Sequence, residues 1–299
     1  MSMILTSKQM REHRIRANGL NHNVLEWPAE GGGDPVGTVL LLHGYMDAGA
    51  TWDFVTPHLT AANFRVFAPD LRGFGDTDRI PAGGYYHFPD YIADVAELVD
   101  ALSLPTPLYL VGHSMGGVIA TMFTGAFPAA VAKLALLEGS GPPGSTFDTV
   151  PDRMRTWIDN LRATRQRNEA PRNTNSESHA LRRLYMNHPL ISHQVLKTRL
   201  PHLVKHLSDG TVEWKFDPLH KTTAPIPFYS ASYVAFAERV ACPVLAIGGG
   251  PTGWRAEDEA ARLAAFKHLT EASIESAGHM MHWTEPAEVG RLIVNFFRR

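Results

Sequence analysis

Short, uninterrupted apolar runs punctuate this chain. Val39 to Leu42, Phe64 to Ala68, Leu108 to Val111, Val131 to Leu137, Val244 to Ile247 and Ala272 to Glu275 read as strands, mostly separated by helix-like stretches such as Tyr91 to Leu102, Gly117 to Phe127 and Ala256 to His268. Runs that do not alternate with polar residues are buried on both faces, which predicts a mostly parallel sheet between two layers of helices. Ahead of them, Glu12 to Ala17 and Val24 to Trp27 form two further strands, joined at an Asn18-Gly19 turn and followed by a flexible joint at Gly31 to Gly33. The rhythm breaks between about Pro142 and Ala237, where helical pieces such as Asp152 to Arg165 and Ser178 to Met186 alternate with polar, Pro-containing loops and no buried strand is evident. A helical insertion over an α/β core is expected, with 1–141 and 238–299 as the core and 142–237 as the insertion.

Composition narrows the function. With 299 residues, 44% of them hydrophobic and 19% charged, the chain can build a substantial core. A net charge of −2 and a pI near 6.7 give no field favouring nucleic acid or an anionic membrane, so neither is an expected partner, and a small-molecule substrate is compatible with this balance. Composition leaves the oligomeric state open. Cys242 is the only cysteine, which excludes an intrachain disulfide and a cysteine-based metal cluster. The start MSMILTSKQMREHR lacks the apolar core of a signal peptide and no run of about 18 apolar residues occurs, so a cytoplasmic setting is expected. Eight arginines against four acidic residues between Asp152 and His188 would suit an anionic ligand; a solvated helix face explains them more simply.

The candidate chemistry lies in Gly112-His113-Ser114-Met115-Gly116, a G-x-S-x-G pattern between an apolar run and a helix-like one. Such a turn lifts a serine hydroxyl clear of the sheet beside a helix N-terminus, and Ser114 is the candidate nucleophile. A serine of ordinary pKa needs a base. His279, in Ser276-Ala277-Gly278-His279 after the last strand, is preferred to its rival His282, which lies just before Thr284-Glu285-Pro286 and suits packing or capping there. Backbone N–H groups of Tyr45, after His43-Gly44, and of Met115 are the candidate oxyanion donors. His43 and His113 are read as structural.

These motifs resemble the α/β-hydrolase superfamily: LLHGYMD at 41–47, FAPDLRGFGDTD at 67–78, VGHSMGG at 111–117 and SAGHMMHWTEP at 276–286. The resemblance covers most of the chain and implies an α/β-hydrolase fold with a helical cap, a cofactor-free and metal-free acyl transfer at Ser114, and Asp70 to Gly75 as a structural loop. It implies hydrolysis of a carboxylic ester, lactone or related acyl compound. Serine members also include C–C bond hydrolases, aminopeptidases, thioesterases and cofactor-free perhydrolases, and a hydrolase-like receptor with little turnover stays open. Haloalkane dehalogenases and epoxide hydrolases of this fold need an aspartate where Ser114 stands.

One expected residue is missing. Relatives usually carry the acid of the triad a few residues after the seventh strand, yet Gly248-Gly249-Gly250-Pro251-Thr252-Gly253 holds none. Gly248, Gly250 and Gly253 fit a dinucleotide fingerprint, but Pro251 offers no N–H, the position is late in the chain, and Glu271 precedes a strand where the fingerprint wants an acid ending one. The acid is therefore expected at Glu138, ending the sixth strand one strand from the nucleophile's, as in several α/β-hydrolases. Glu257 and Asp258 are its rivals, better suited to the first turn of a helix. Trp157, Met154, Trp214, Phe228 and Tyr229, with Tyr85, Tyr86 and Phe88, either line an apolar pocket or glue the insertion to the core.

Overall fold

The computed structural model describes residues 10–169 and 176–299; part of the N-terminal stretch and Arg172 of the arginine-rich segment lie outside the described residues. The strands in chain order are β1 (Arg11–Ala17), β2 (Leu20–Trp27), β3 (Gly37–Leu42), β4 (Phe64–Pro69), β5 (Leu108–His113), β6 (Val131–Leu137), β7 (Val204–His206), β8 (Val212–Trp214), β9 (Val244–Gly249) and β10 (Leu269–Ile274). The helices are α1 (Thr56–Ala61), α2 (Phe88–Ala101), α3 (Met115–Ala126), α4 (Val150–Glu169), α5 (Glu177–Asn187), α6 (His193–Leu203), α7 (Ser230–Ala237), α8 (Glu259–Leu263), α9 (Met281–Thr284) and α10 (Pro286–Arg298).

Eight strands form one sheet in the order β1-β2-β4-β3-β5-β6-β9-β10. The pairs β1/β2 and β2/β4 are antiparallel and the rest parallel. At the β1–β2 hairpin Asn18 and Gly19 both take positive φ, 43° and 77°, the geometry a two-residue hairpin turn demands. Along the central strands successive residues enter opposite cores. Leu40, Leu42, Leu110, Leu134 and Leu136 pack with α2, α3 and α7 on one face, while Val39, Leu41, Val111, Ala135 and Leu137 pack with α1, α9 and α10 on the other. Both faces are covered, which is why these strands read as continuous apolar runs.

The departures from the expected pattern have local causes. At the sheet edge β10 starts at Leu269, ahead of the expected Ala272, and pairs only with β9. Its Thr270, Glu271 and Ser273 are exposed, so the strand carries no apolar run to mark its start. The expected helix from Ala256 to His268 shortens to the five residues of α8, because Phe266 N–H turns back to the Leu263 carbonyl in a tight i→i+3 bond and the chain reverses into β10. Between β6 and β9 the insertion holds α4 to α7 and a small antiparallel hairpin, β7–β8, that sequence reading did not anticipate. Three-residue strands are too short to show a period of two. Ala180, Leu184, Leu196 and Leu200 of the insertion form their own apolar cluster with Val204 and Val212, seated on Ala48, Met280 and Trp283 of the core. Among the described residues no helix is long and apolar enough to cross a membrane.

Arg262 of α8 governs where the chain leaves the sheet. Fully buried, its Nη1 donates to the carbonyls of Ser140, Gly141 and Pro142 at 2.9, 3.0 and 2.9 Å, while Asp258 balances its charge. Removing it strands three carbonyls in a dry interior. Arg262→Met is expected to destabilise the fold by roughly 3 kcal/mol in denaturant unfolding, whereas Arg291→Met, at a surface pair with Glu288, should cost under about 0.5 kcal/mol.

Candidate active site

The sheet register assembles the site. His113 ends β5 opposite Leu137, which ends β6 opposite Ile247 of β9. The next residues along the first two strands, Ser114 and Glu138, therefore leave the same sheet edge side by side, with Ser114 N–H bonded to the Leu137 carbonyl at 2.9 Å and Glu138 N–H to that of Ile247 at 3.0 Å. Both take positive φ, 50° for Ser114 and 43° for Glu138, a strained conformation for residues with a Cβ. The strain at Ser114 is held by close packing beneath it. A Cβ on Gly116 would stand 2.3 Å from the Leu42 carbonyl, so only glycine lets the turn and α3 sit directly on β3.

His279 lies in the loop after β10 and joins the two. Its Nδ1 is 2.6 Å from Glu138 Oε2 and its Nε2 is 3.1 Å from Ser114 Oγ. A carboxylate only accepts, so Nδ1–H donates to Glu138 and Nε2 is left to accept the serine proton. Glu138 is buried and receives two further bonds, from Gly249 N–H to Oε1 and from Trp254 N–H to Oε2, both 2.8 Å. Burial alone would raise its pKa; the His279 ring and the two amides outweigh that and hold the carboxyl below the ordinary glutamate range.

The glycine-rich run is the other half of this arrangement. A Cβ on Gly249 would meet Glu138 Oε1 at 2.7 Å and one on Gly253 at 2.3 Å, so the space that side chains would fill is occupied by the carboxylate. The dinucleotide reading fails for the same reason: an anion of the protein's own already lies in the cradle. Glu257 instead lines a cavity of about 520 Å³ between β6, β9, β10 and α8, and Asp258 is the N-cap residue of α8, ion-paired with Arg262.

His282 is fully buried with Nε2 3.0 Å from Asp47 Oδ2, and belongs to α9. It packs, but caps no helix. His43 is satisfied on both nitrogens, Nδ1–H donating to the Gly44 carbonyl at 2.7 Å and Nε2 accepting from Leu71 N–H at 3.0 Å. Asp70 accepts from Gly49, Asn23 and Asp76, the bonding of a structural loop. Tyr45 stands in the turn after β3, and Met115 opens α3, where its N–H has no acceptor within the helix.

The aromatic candidates divide. Phe228 packs on the sheet core under the Arg262 guanidinium, Trp214 stacks on Phe216 with ring centroids 5.7 Å apart, and the buried Tyr86 donates its hydroxyl to Asp217 at 2.9 Å. Phe88 packs against the core as well. Trp157 meets Tyr85 edge-on, Tyr229 lies against the exposed Phe147, and Met154 is exposed. A further ring near His279 is one that sequence reading passed over: Trp254, edge-on to it with centroids 6.3 Å apart, at the end of the same glycine run.

A family model described as the alpha/beta hydrolase fold matches residues 37–286. The chain belongs to that family. Among curated proteins this α/β hydrolase is similar to a serine hydrolase-like protein of Danio rerio, 31% identical over 175 residues, 58% of this chain and 53% of the relative. It is also similar to a 2-hydroxy-6-oxo-2,4-heptadienoate hydrolase of Pseudomonas putida, 35% identical over 146 residues, 48% of this chain and 49% of the relative. In both, the matched stretch spans about half the relative's length. Of solved structures, a thioesterase domain from the curacin biosynthetic pathway superposes with a TM-score of 0.79 at 23% identity, covering 96% of this chain and 100% of that one, a likeness of fold.

The depressed Glu138 pKa makes acid stability a test of this bonding. Ionised Glu138 stabilises the α/β hydrolase fold above its unfolded pKa near 4.5, and that contribution is lost as pH falls through the lower folded value. Between pH 6 and pH 3, roughly the span of a carboxylate titration, wild-type Tm should fall more steeply than that of Glu138→Gln, read by thermal unfolding monitored with circular dichroism.

Proposed function

We propose that the protein is a serine hydrolase that cleaves a carboxylic ester, lactone or related acyl compound through an acyl-Ser114 intermediate. The observation that carries this is the continuous bond sequence Ser114 Oγ, His279 Nε2, His279 Nδ1, Glu138 Oε2, at 3.1 and 2.6 Å. His279 takes the Ser114 proton as the oxygen attacks the acyl carbon, then gives it to the leaving alcohol. In the second half it removes a proton from water as the water oxygen attacks the acyl carbon, then returns that proton to Ser114 Oγ as the acyl–oxygen bond breaks and the acid leaves. Glu138 keeps the ring in the accepting tautomer and balances the imidazolium charge. The Tyr45 and Met115 amides take the developing oxyanion, Met115 with the help of the α3 N-terminus. No cofactor or metal enters this sequence.

In this reading 142–237 is a cap on a core of 1–141 and 238–299; the separate apolar cluster of α5, α6 and the β7–β8 hairpin, seated on Ala48, Met280 and Trp283, supports the division, while Tyr233 and Ala237 of α7 pack into the sheet core and tie the end of the cap to it. Trp157, Met154, Trp214, Phe228 and Tyr229 then belong mainly to the cap and its junction, and Trp254 stands beside His279. The lone, buried Cys242 suits a reducing cytoplasm.

A fluorophosphonate should label wild-type Ser114, located by peptide mapping, and an ester panel varied in acyl length and ring content should be turned over by wild type but not by Ser114→Ala. His279→Ala should lose far more turnover than His282→Ala. Glu138→Gln should lower kcat by about 10² or more, with Glu257→Gln and Asp258→Asn nearly neutral. Turnover that survives Ser114→Ala removes the mechanism; tight ligand binding with none across the panel points to a receptor instead.

A further inference from the structure

His279 is the first of three imidazoles in a row. Its ring centroid lies 4.8 Å from that of His113, which lies 4.3 Å from that of His282, and Trp52 closes the row 4.8 Å beyond. His113, His282, Trp52 and Asp47 are all buried. His113 Nε2 is 2.8 Å from the His279 carbonyl, which can only accept, so His113 carries its proton there. His282 Nε2–H donates to Asp47 Oδ2, and Asp47 Oδ1 takes the Ala48 N–H at 2.9 Å and the Thr51 hydroxyl at 2.7 Å. The Nδ1 atoms of His113 and His282 have no hydrogen-bond partner among the described residues. Burial holds both histidines below their ordinary pKa, His113 strongly so with neighbouring imidazoles adding to the effect.

Three segments meet in this row. Asp47 lies two residues past Tyr45, His113 immediately before Ser114, and His282 three residues past His279. We propose that Asp47, His282 and His113 are positioning residues that hold the His279 ring at hydrogen-bond distance from Ser114, acting through the His279 carbonyl and the tilted, packed rings. The proposal rests on the serine-hydrolase reading. Asp47, His113 and His282 also bring ligand-type atoms within 4.8 Å of one another, as a metal site would. Both Asp47 oxygens already accept bonds, however, and His113 Nδ1 lies where a Cβ on Gly44 would be only 2.7 Å away. The group is packed as rings against one carboxylate, with His113 tight against Gly44.

A strut that only stabilised the fold would change how much enzyme is folded; one that aims the base changes how fast folded enzyme reacts. The limiting rate of Ser114 labelling by a fluorophosphonate, taken from a concentration series, measures the second directly. His113→Leu should slow that rate about 30-fold with the half-saturating probe concentration within about twofold, since misplacing a reacting group by 1 Å costs up to about 10². His113→Gln, whose amide can still donate toward the carbonyl, should recover a good part of the loss. Asp47→Asn, nearly isosteric, should slow labelling about tenfold and carries the test if His113→Leu does not fold. Folded Asp47→Asn labelled at the wild-type rate, or His113→Gln no faster than His113→Leu at equal Tm, overturns the strut. Wild type that resists labelling altogether overturns the hydrolase reading along with it.

Discussion

A charged carboxylate kept out of water needs donors around it, and Glu138 has three: His279, Gly249 and Trp254. Only one of these is a side chain. The two amides come from β9 and the segment after it, so the backbone of the seventh strand of the large sheet holds a carboxylate carried by the sixth. Ser114 and Glu138 meet because β5, β6 and β9 are in register, and that register follows from two apolar cores filled by alternate residues of each strand. Slipping β6 by one residue would turn Leu134 and Leu136 into the wrong core and point Glu138 away. Hydrophobic packing thus sets the position of the charge, and the charge sets that of the His279 ring.

Much of this was legible from the chain alone, for identifiable reasons. Strands buried on both faces announce themselves as apolar runs, as β3 and β6 do, and an Asn-Gly pair between strands leaves few turn geometries to choose from. The glycines of the elbow were readable because a bare backbone between a strand and a helix is an unusual demand. Even the absence of an acid in residues 248–253 carried information, since a missing charge at a place that requires one directs attention to the neighbouring strand.

What escaped reading depends on contacts between segments far apart in sequence. Trp254 bonds to Glu138 through its backbone amide, and nothing in its side chain announces this. His113 looks like any residue before a nucleophile until the loop bearing His279 folds over it, 166 residues away. Phe228 and Trp214 could not be told apart as pocket or packing, because an aromatic ring is equally suited to either until its neighbours are known. The β7–β8 hairpin has too few residues per strand to display a pattern at all.

The glycines under Glu138 also tie two distant segments of the chain to each other. An aspartate on the β9 turn and a glutamate ending β6 compete for the same few cubic ångströms, because a Cβ at Gly253 already meets the Glu138 carboxylate at 2.3 Å. An acid placed at position 253 with Glu138 still present would crowd two carboxylates together. Positions 249 and 253 are thereby held to glycine by a side chain far earlier in the chain, and a substitution at either is felt as a displaced Glu138.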